Sequence, residues 1–375
     1  ARVLSRTSTN GDMKATGKTL FDATFPPRIR KLWLDAVAAL GDDEGLRLTL
    51  HIEPPELLAL PWEMLFEGDF IGLRKRFPIV RYLDRPGPSR PLTIRPPLRV
   101  LVVLTSAGAG LPPRSAGGLH HNLDTRVAAI RDALSGASGK ARVDFLRPND
   151  QNELLSKLRR GYHVLHFRGS GRVRRGDSYL LLNGSKDNGG QVLSARLGQL
   201  VADGALRLVV LDACELPVPA PARGPEVAPD TDLGQIAQHL VSSGLPAVVT
   251  MQPTMSSQAS IQFDRAFYSA LVDGMPLDTA VQEGRQRTVG LPSQDGDKSI
   301  DWALPTLYLR TRETQVLAHQ EEEFQVITTK RQEIRPTVTF TPTFHGPIHG
   351  PVHTGTGALR VASLRYGMDA AEINK

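Results

Sequence analysis

Cysteine is nearly absent from this chain: its 375 residues include one, Cys214. That excludes an internal disulfide and any metal cluster built on several thiolates, and it leaves Cys214 either a small buried thiol or a nucleophile. Long apolar runs are missing as well. No stretch reaches the roughly eighteen residues of a membrane span, and the opening ARVLSRTSTNGDMKATGK lacks the apolar middle of a secretory signal. Neither export nor membrane insertion is expected, and the cytoplasm is the default compartment. Charge of one sign never accumulates: 45 basic and 39 acidic residues, net +6, contain no block of five or more like charges, which argues against nucleic acid as a partner.

What is present is an α/β pattern. Hydrophobic residues at 40% suffice for a real core. Residues 28 to 40, RIRKLWLDAVAAL, put Ile29, Leu32, Trp33, Val37 and Leu40 on one helical face. LRLTLHI then alternates as a half-buried strand, and IVRYL forms another. The segment RPGPSRPLTIRPP reads as a break between lobes. After it, short continuous apolar runs (LRVLVVLTS, ARVDFL, YHVLHF, LRLVVLDA, LPAVVTM) alternate with amphipathic helical stretches and end in LPTLYLR. Such runs suit a doubly wound, mostly parallel sheet covered on both faces. From about residue 313 the character changes to a β-rich tail, including TVTFTPTF and HGPIHGPVHTGTG. The expected division is an N-terminal lobe at 1–95, a core at 96–312 and a tail at 313–375.

Two motifs do not carry the chemistry they suggest. GDMKATGKT spaces its glycines one residue too far apart for a phosphate-binding loop, and no apolar strand feeds it. His345, His349 and His353 recur every fourth residue, but the intervening prolines and glycines forbid the helix that would align them as ligands. No cofactor and no metal are expected.

The lone cysteine has a more telling context. LRLVVLDAC is a buried strand ending at Cys214, and the strand before it, YHVLHF, ends in the glycine-flanked turn Gly169-Ser170-Gly171. Ligands and reacting groups gather at the carboxyl ends of strands in open α/β sheets. Two adjacent strand ends could bring a base within reach of a thiol.

These residues resemble the CHAT family, caspase-like peptidase domains related to caspases, metacaspases and separases. LLALPWEML resembles the family's Leu-Pro-Trp-Glu segment, and YHVLHFRGSG its strand ending in Gly-His-Gly. LVVLDAC resembles the strand bearing the catalytic cysteine, and GLPAVVTMQ, AFYSAL and DWALPTLYLR follow in the family's order. The resemblance spans about residues 17–310. It implies a Cys–His dyad, with Cys214 as nucleophile and the histidine of Gly-His-Gly as base. Here Ser170 stands at the histidine position, and a hydroxyl cannot take the thiol proton near neutral pH. His166, four residues back along a strand, is about 13 Å away and would have to leave the sheet to help.

The resemblance further implies that Asp212 helps form a pocket for a basic substrate side chain beside Gly169, Gly171 and Ala213; the alternative is an aspartate that caps nearby backbone amides. Arg168, Arg172, Arg174 and Arg175 either favour acidic substrate segments or are solvated loop charge. The implied function is a cysteine endopeptidase of a bacterial signalling or antiphage defence system, acting on a protein substrate. It is either silenced at position 170 or a natural scaffold acting by binding, with self-association or docking of a sensor protein through the tail.

Overall fold

The computed structural model describes residues 9–42, 44–52, 55–58, 60–83, 90–105, 116–135, 139–148, 150–169, 171–174, 177–182, 191–213, 233–251, 255–291, 300–318 and 359–364. In chain order the elements are α1 (Asn10–Thr24), α2 (Pro27–Ala38), β1 (Gly45–His51), α3 (Pro55–Leu58), β2 (Phe66–Glu67), β3 (Asp69–Phe70), β4 (Ile79–Tyr82), β5 (Leu98–Leu104), α4 (Ala116–Ser135), β6 (Ala141–Leu146) and α5 (Gln151–Leu158). They continue with β7 (Val164–Gly169), β8 (Gly171–Arg174), β9 (Asp177–Leu181), β10 (Gln191–Leu193), α6 (Ser194–Asp203), β11 (Leu208–Ala213), α7 (Leu233–Ser242), β12 (Ala247–Met251), α8 (Ser257–Val272), α9 (Leu277–Thr288), β13 (Pro305–Leu309) and β14 (Leu359–Leu364).

Nine strands form one sheet in the order β14-β1-β4-β13-β12-β11-β7-β5-β6. All neighbours run parallel except β12 and β13. The sheet therefore consists of two parallel blocks that oppose each other at that junction. Strand alternation sends Val100, Val164, Leu208 and Val249 to the face covered by α4, α8 and α9, and Leu101, Leu165, Val209 and Val248 to the face covered by α5, α6 and α7. Leu46, Leu48 and Ile79 bury a third cluster with Phe21, Phe25 and Trp33 of the first helices. No helix among the described residues is long and apolar enough to cross a membrane.

Several expectations change at this level. GDMKATGKT lies within α1, whose Thr9 N-cap pairs reciprocally with Asp12. In α2 the buried stripe is narrower than expected, because Leu32 is 40% exposed while Ile29 and Trp33 are buried. β1 is buried on both faces rather than one: Arg47 is hidden with its Nε 2.5 Å from Asp278 of α9. β6, by contrast, is only half-buried, because it is the last strand of the sheet.

Leu92 and Ile94 are buried, Ile94 pairs in parallel with Leu317, and β1 and β4 share the sheet with the strands after residue 96. Residues 313–318 also belong to this packing, since Val316 and Leu317 are buried. Within the tail, Leu359–Leu364 pairs in parallel with β1. TVTFTPTF and the three spaced histidines lie outside the described residues.

Candidate active site

β7 and β11 are neighbours in parallel register, from Val164↔Leu208 to Asp212↔Arg168 and Ala213↔Gly169. Uninterrupted apolar sequence explains their central place, because both faces of each are covered by helices. Ser170 and Cys214 each follow that last register pair by one peptide bond, and both lie outside the described residues.

The glycines around position 170 answer to packing rather than to flexibility. A Cβ on Gly169 would meet Thr105 Oγ1 at 2.1 Å, and one on Gly171 would meet Ile236 Cδ1 at 2.2 Å. Gly171 opens β8, the first strand of a small antiparallel sheet β10-β9-β8, where the sequence suggests a loop.

Beneath the strand ends lies a buried set of charges. Arg126 of α4 places Nε 2.6 Å from Asp264 of α8 and Nη1 2.5 Å from Asp212 Oδ2, the second a charge contact without hydrogen-bond alignment. Arg168 Nη1 donates to the same Asp212 oxygen at 3.0 Å. All four groups are almost fully buried. Asp212 is therefore no exposed carboxylate: two arginines of its own chain hold its Oδ2, while its Oδ1 is buried without a hydrogen-bond partner among the described residues. Arg168 is likewise not solvated loop charge. The side chains of Arg172, Arg174 and Arg175 lie outside the described residues.

Burial lifts the Asp212 carboxyl to about 6, against the pull of Arg126, and Asp264 adds to the rise. Asp264 is raised by burial too. Arg126 loses by desolvation but gains more from Asp212 and Asp264, so its affinity for the proton increases. Sequence reading missed Arg126 and Asp264. Their signal is a charge within an apolar helical stripe, as in Phe263-Asp264 followed by Phe267-Tyr268.

A sequence profile of the CHAT domain matches residues 14–310. The chain belongs to this family, the caspase-like peptidase domains of the resemblance. Among curated proteins none matches it in sequence. In structure it is similar to the Arg-specific cysteine proteinase gingipain R, with 10% identity over 82% of this chain and 75% of that one at a TM-score of 0.44. It is also similar to the Drosophila initiator caspase Dronc, with 8% identity over 60% and 84% of the two chains at a TM-score of 0.34. A third similarity is to the Saccharomyces cerevisiae separase–securin complex, with 12% identity over 67% of this chain and 15% of that one at a TM-score of 0.34.

In this CHAT domain His166 is no substitute base. It is fully buried, its Nδ1 lies 2.8 Å from the Tyr268 hydroxyl, and burial together with the Arg126 charge depresses its pKa to about 3. The Leu-Pro-Trp-Glu segment of this CHAT domain is a brace. Trp62 Nε1 donates to Leu57 O at 2.7 Å, while Glu63 pairs with Arg81 of β4 at 2.6 Å and lies 3.8 Å from Arg285 of α9. Burial lowers Arg285 to about 10. Among the described residues no group of three metal-ligating side chains converges.

Proposed function

We propose that this CHAT domain is a caspase-like cysteine endopeptidase in which Cys214 is the nucleophile and position 170 is the acid–base position, so that Ser170 leaves it silent as written. The observation that carries the reading is the register pair Ala213↔Gly169, which sets the chain leading to Cys214 beside the chain leading to Ser170 at the ends of two adjacent parallel strands. In a competent dyad the thiolate sulfur attacks the carbonyl carbon of a peptide bond. The C–N bond breaks, the leaving amine takes its proton from imidazolium, and water hydrolyses the thioester. A free thiol with a pKa near ~8.5 is only slightly ionised at neutral pH, so loss of the base removes both the proton acceptor and the later proton donor.

The substrate class is protein, and the proposed setting is a bacterial signalling or antiphage defence system; the family resemblance supports both. Self-association or docking of a sensor through the tail would rest on residues other than Leu359–Leu364, which pair within the chain. The alternative, a natural scaffold that works by binding, is favoured by Ser170 together with the sequestered His166.

The deciding experiment incubates the chain, Ser170→His, and Ser170→His combined with Cys214→Ala with a proteome-derived peptide library. Cleavage by Ser170→His alone is expected. Cleavage by none of the three overturns the dyad assignment and leaves the scaffold; equal cleavage by the chain and Ser170→His overturns both the role given to position 170 and the scaffold.

A further inference from the structure

At the opposite end of the sheet, the N-terminal ends of β5 and β6, an open cleft of about 560 Å³ is lined by Arg99, Arg131, Arg142, Asp144 and Tyr162. Its charge is unbalanced. Asp144 accepts a hydrogen bond from the Tyr162 hydroxyl. Among the described residues no carboxylate pairs with Arg99, Arg131 or Arg142. The guanidinium of Arg99 lies 5.1 Å from the Tyr162 ring and donates to Arg160 O at 2.6 Å, and that of Arg131 lies 5.1 Å from the Phe145 ring, so both are held in place without a carboxylate partner among the described residues. Neighbouring groups already feel this potential: His163 is depressed by burial and then by the charges of Arg207 and Arg99.

The cleft runs along the open edge of the sheet. β6 has β5 on one side and no strand among the described residues on the other. Leu98 N donates to Lys140 O, and Leu98 is the register partner of Ala141. In a parallel ladder that pattern turns the N–H and C=O groups of Lys140, Arg142 and Asp144 towards β5, and those of Ala141, Val143 and Phe145 away from it. Arg142 and Asp144 alone would be ordinary charges on an edge strand. Arg99 and Arg131 come from β5 and α4, however, and line the same cleft from the two faces of the sheet, Arg99 on the face it shares with Arg142 and Arg131 on the face covered by α4.

We infer that this edge is a docking site for an acidic, extended polypeptide segment, which adds to β6 as a further strand and places carboxylates against Arg99, Arg131 and Arg142. Main-chain donors and acceptors along β6 suit a polypeptide, whereas a nucleic acid has no use for them. The two rings are also covered by guanidinium groups rather than open for base stacking. The site lies at the far end of the strands from Gly169 and Ala213, so its occupant is held rather than cut, and the inference does not depend on the peptidase reading.

Fluorescence anisotropy on the full chain tests it with three labelled probes: a Glu-Glu-Val-Glu-Glu-Val-Glu peptide, whose neighbouring glutamates face both sides of the added strand, the same peptide N-methylated at alternate amides, and a single-stranded oligouridylate of equal charge. The first probe is expected to bind, the second and third at least about tenfold more weakly, and Arg131→Glu with Arg142→Glu to weaken the first about tenfold. Both arginines are exposed, and an unchanged melting midpoint would show that the double variant still folds. No binding of the first probe, equal binding of the N-methylated peptide, oligouridylate binding as tight as the peptide's, or indifference to the double variant each overturns the proposal.

Discussion

Arg168 and Asp212 are register partners on adjacent parallel strands, and their side chains meet at 3.0 Å on the face covered by α4 and α8. Arg126 reaches the same carboxylate from the helix layer. The last described stretch of backbone before each proposed catalytic position is thus anchored to a buried charge cluster. A change in that cluster should therefore register as a loss of stability before anything else.

Arg126 is the member with two carboxylates. Arg126→Met leaves Asp264 without its only ion pair among the described residues and Asp212 with Arg168 alone. Removing one partner from a buried ion cluster costs about 3–5 kcal/mol. Urea unfolding should show that loss; a cost below about 1 kcal/mol, the range of surface pairs, would mean the cluster is solvated.

His166 makes stability depend on pH. Its folded-state pKa of about 3 lies below the ordinary value near 6.5, so the unfolded chain binds the proton first as pH falls. The stability it contributes is complete above about 6.5 and drains away as pH drops towards 3. Asp212 acts in the opposite sense: its raised value of about 6 makes it most favourable below the ordinary 3.8, with the benefit lost as pH rises through 6. Comparison with His166→Asn isolates the histidine. Between pH 6.5 and 4 the stability of the chain relative to that variant should fall by about 3 kcal/mol, and a constant difference across this range would contradict the buried, neutral imidazole.

Gly169→Ala should destabilise chiefly through the Thr105 Oγ1 that a Cβ would overlap at 2.1 Å, with the Phe167 ring next at 3.0 Å. The expected cost is about 1–3 kcal/mol, as for overpacking elsewhere. Thr105→Ala removes that oxygen, so a double-mutant cycle should show the two substitutions compensating by about 1 kcal/mol or more. Strict additivity would point to the Phe167 ring instead.

Glu63→Ala should cost about 3–5 kcal/mol, since Arg81 and Arg285 are then left buried without their carboxylate. Calorimetric melting of the two forms measures it. Were the melting temperatures equal, the Leu-Pro-Trp-Glu segment would owe its presence to something other than this brace.

Much of the sheet was legible in the sequence because central parallel strands write themselves as unbroken apolar runs; Leu208 to Leu211 and Ala247 to Val249 are the plainest cases. β1 misled because Arg47 and Thr49 look like a solvent face, and only the distant Asp278 shows that the arginine is buried in a pair. β6 misled in the other direction: its composition resembles a central strand, and an edge position is a property of topology rather than of local sequence. For the site, Asp212 was singled out by the family resemblance around Cys214, but its burial depends on Arg126, 86 residues earlier, and on Asp264, 52 residues later. Pairings of that range leave no periodic trace.

The meeting of the two parallel blocks has a consequence for how the chain reaches this state. β4 has β1 on one side but finds its second neighbour only in β13, and Arg81 and Tyr308, which face each other there, are 227 residues apart. Contacts of such separation are entropically late, so the first strands must wait, with their inner edge open, until nearly the whole domain has been synthesised. Nascent chains stopped before residue 305 would expose that inner edge to any other unpaired strand, and β13 is the strand that closes it.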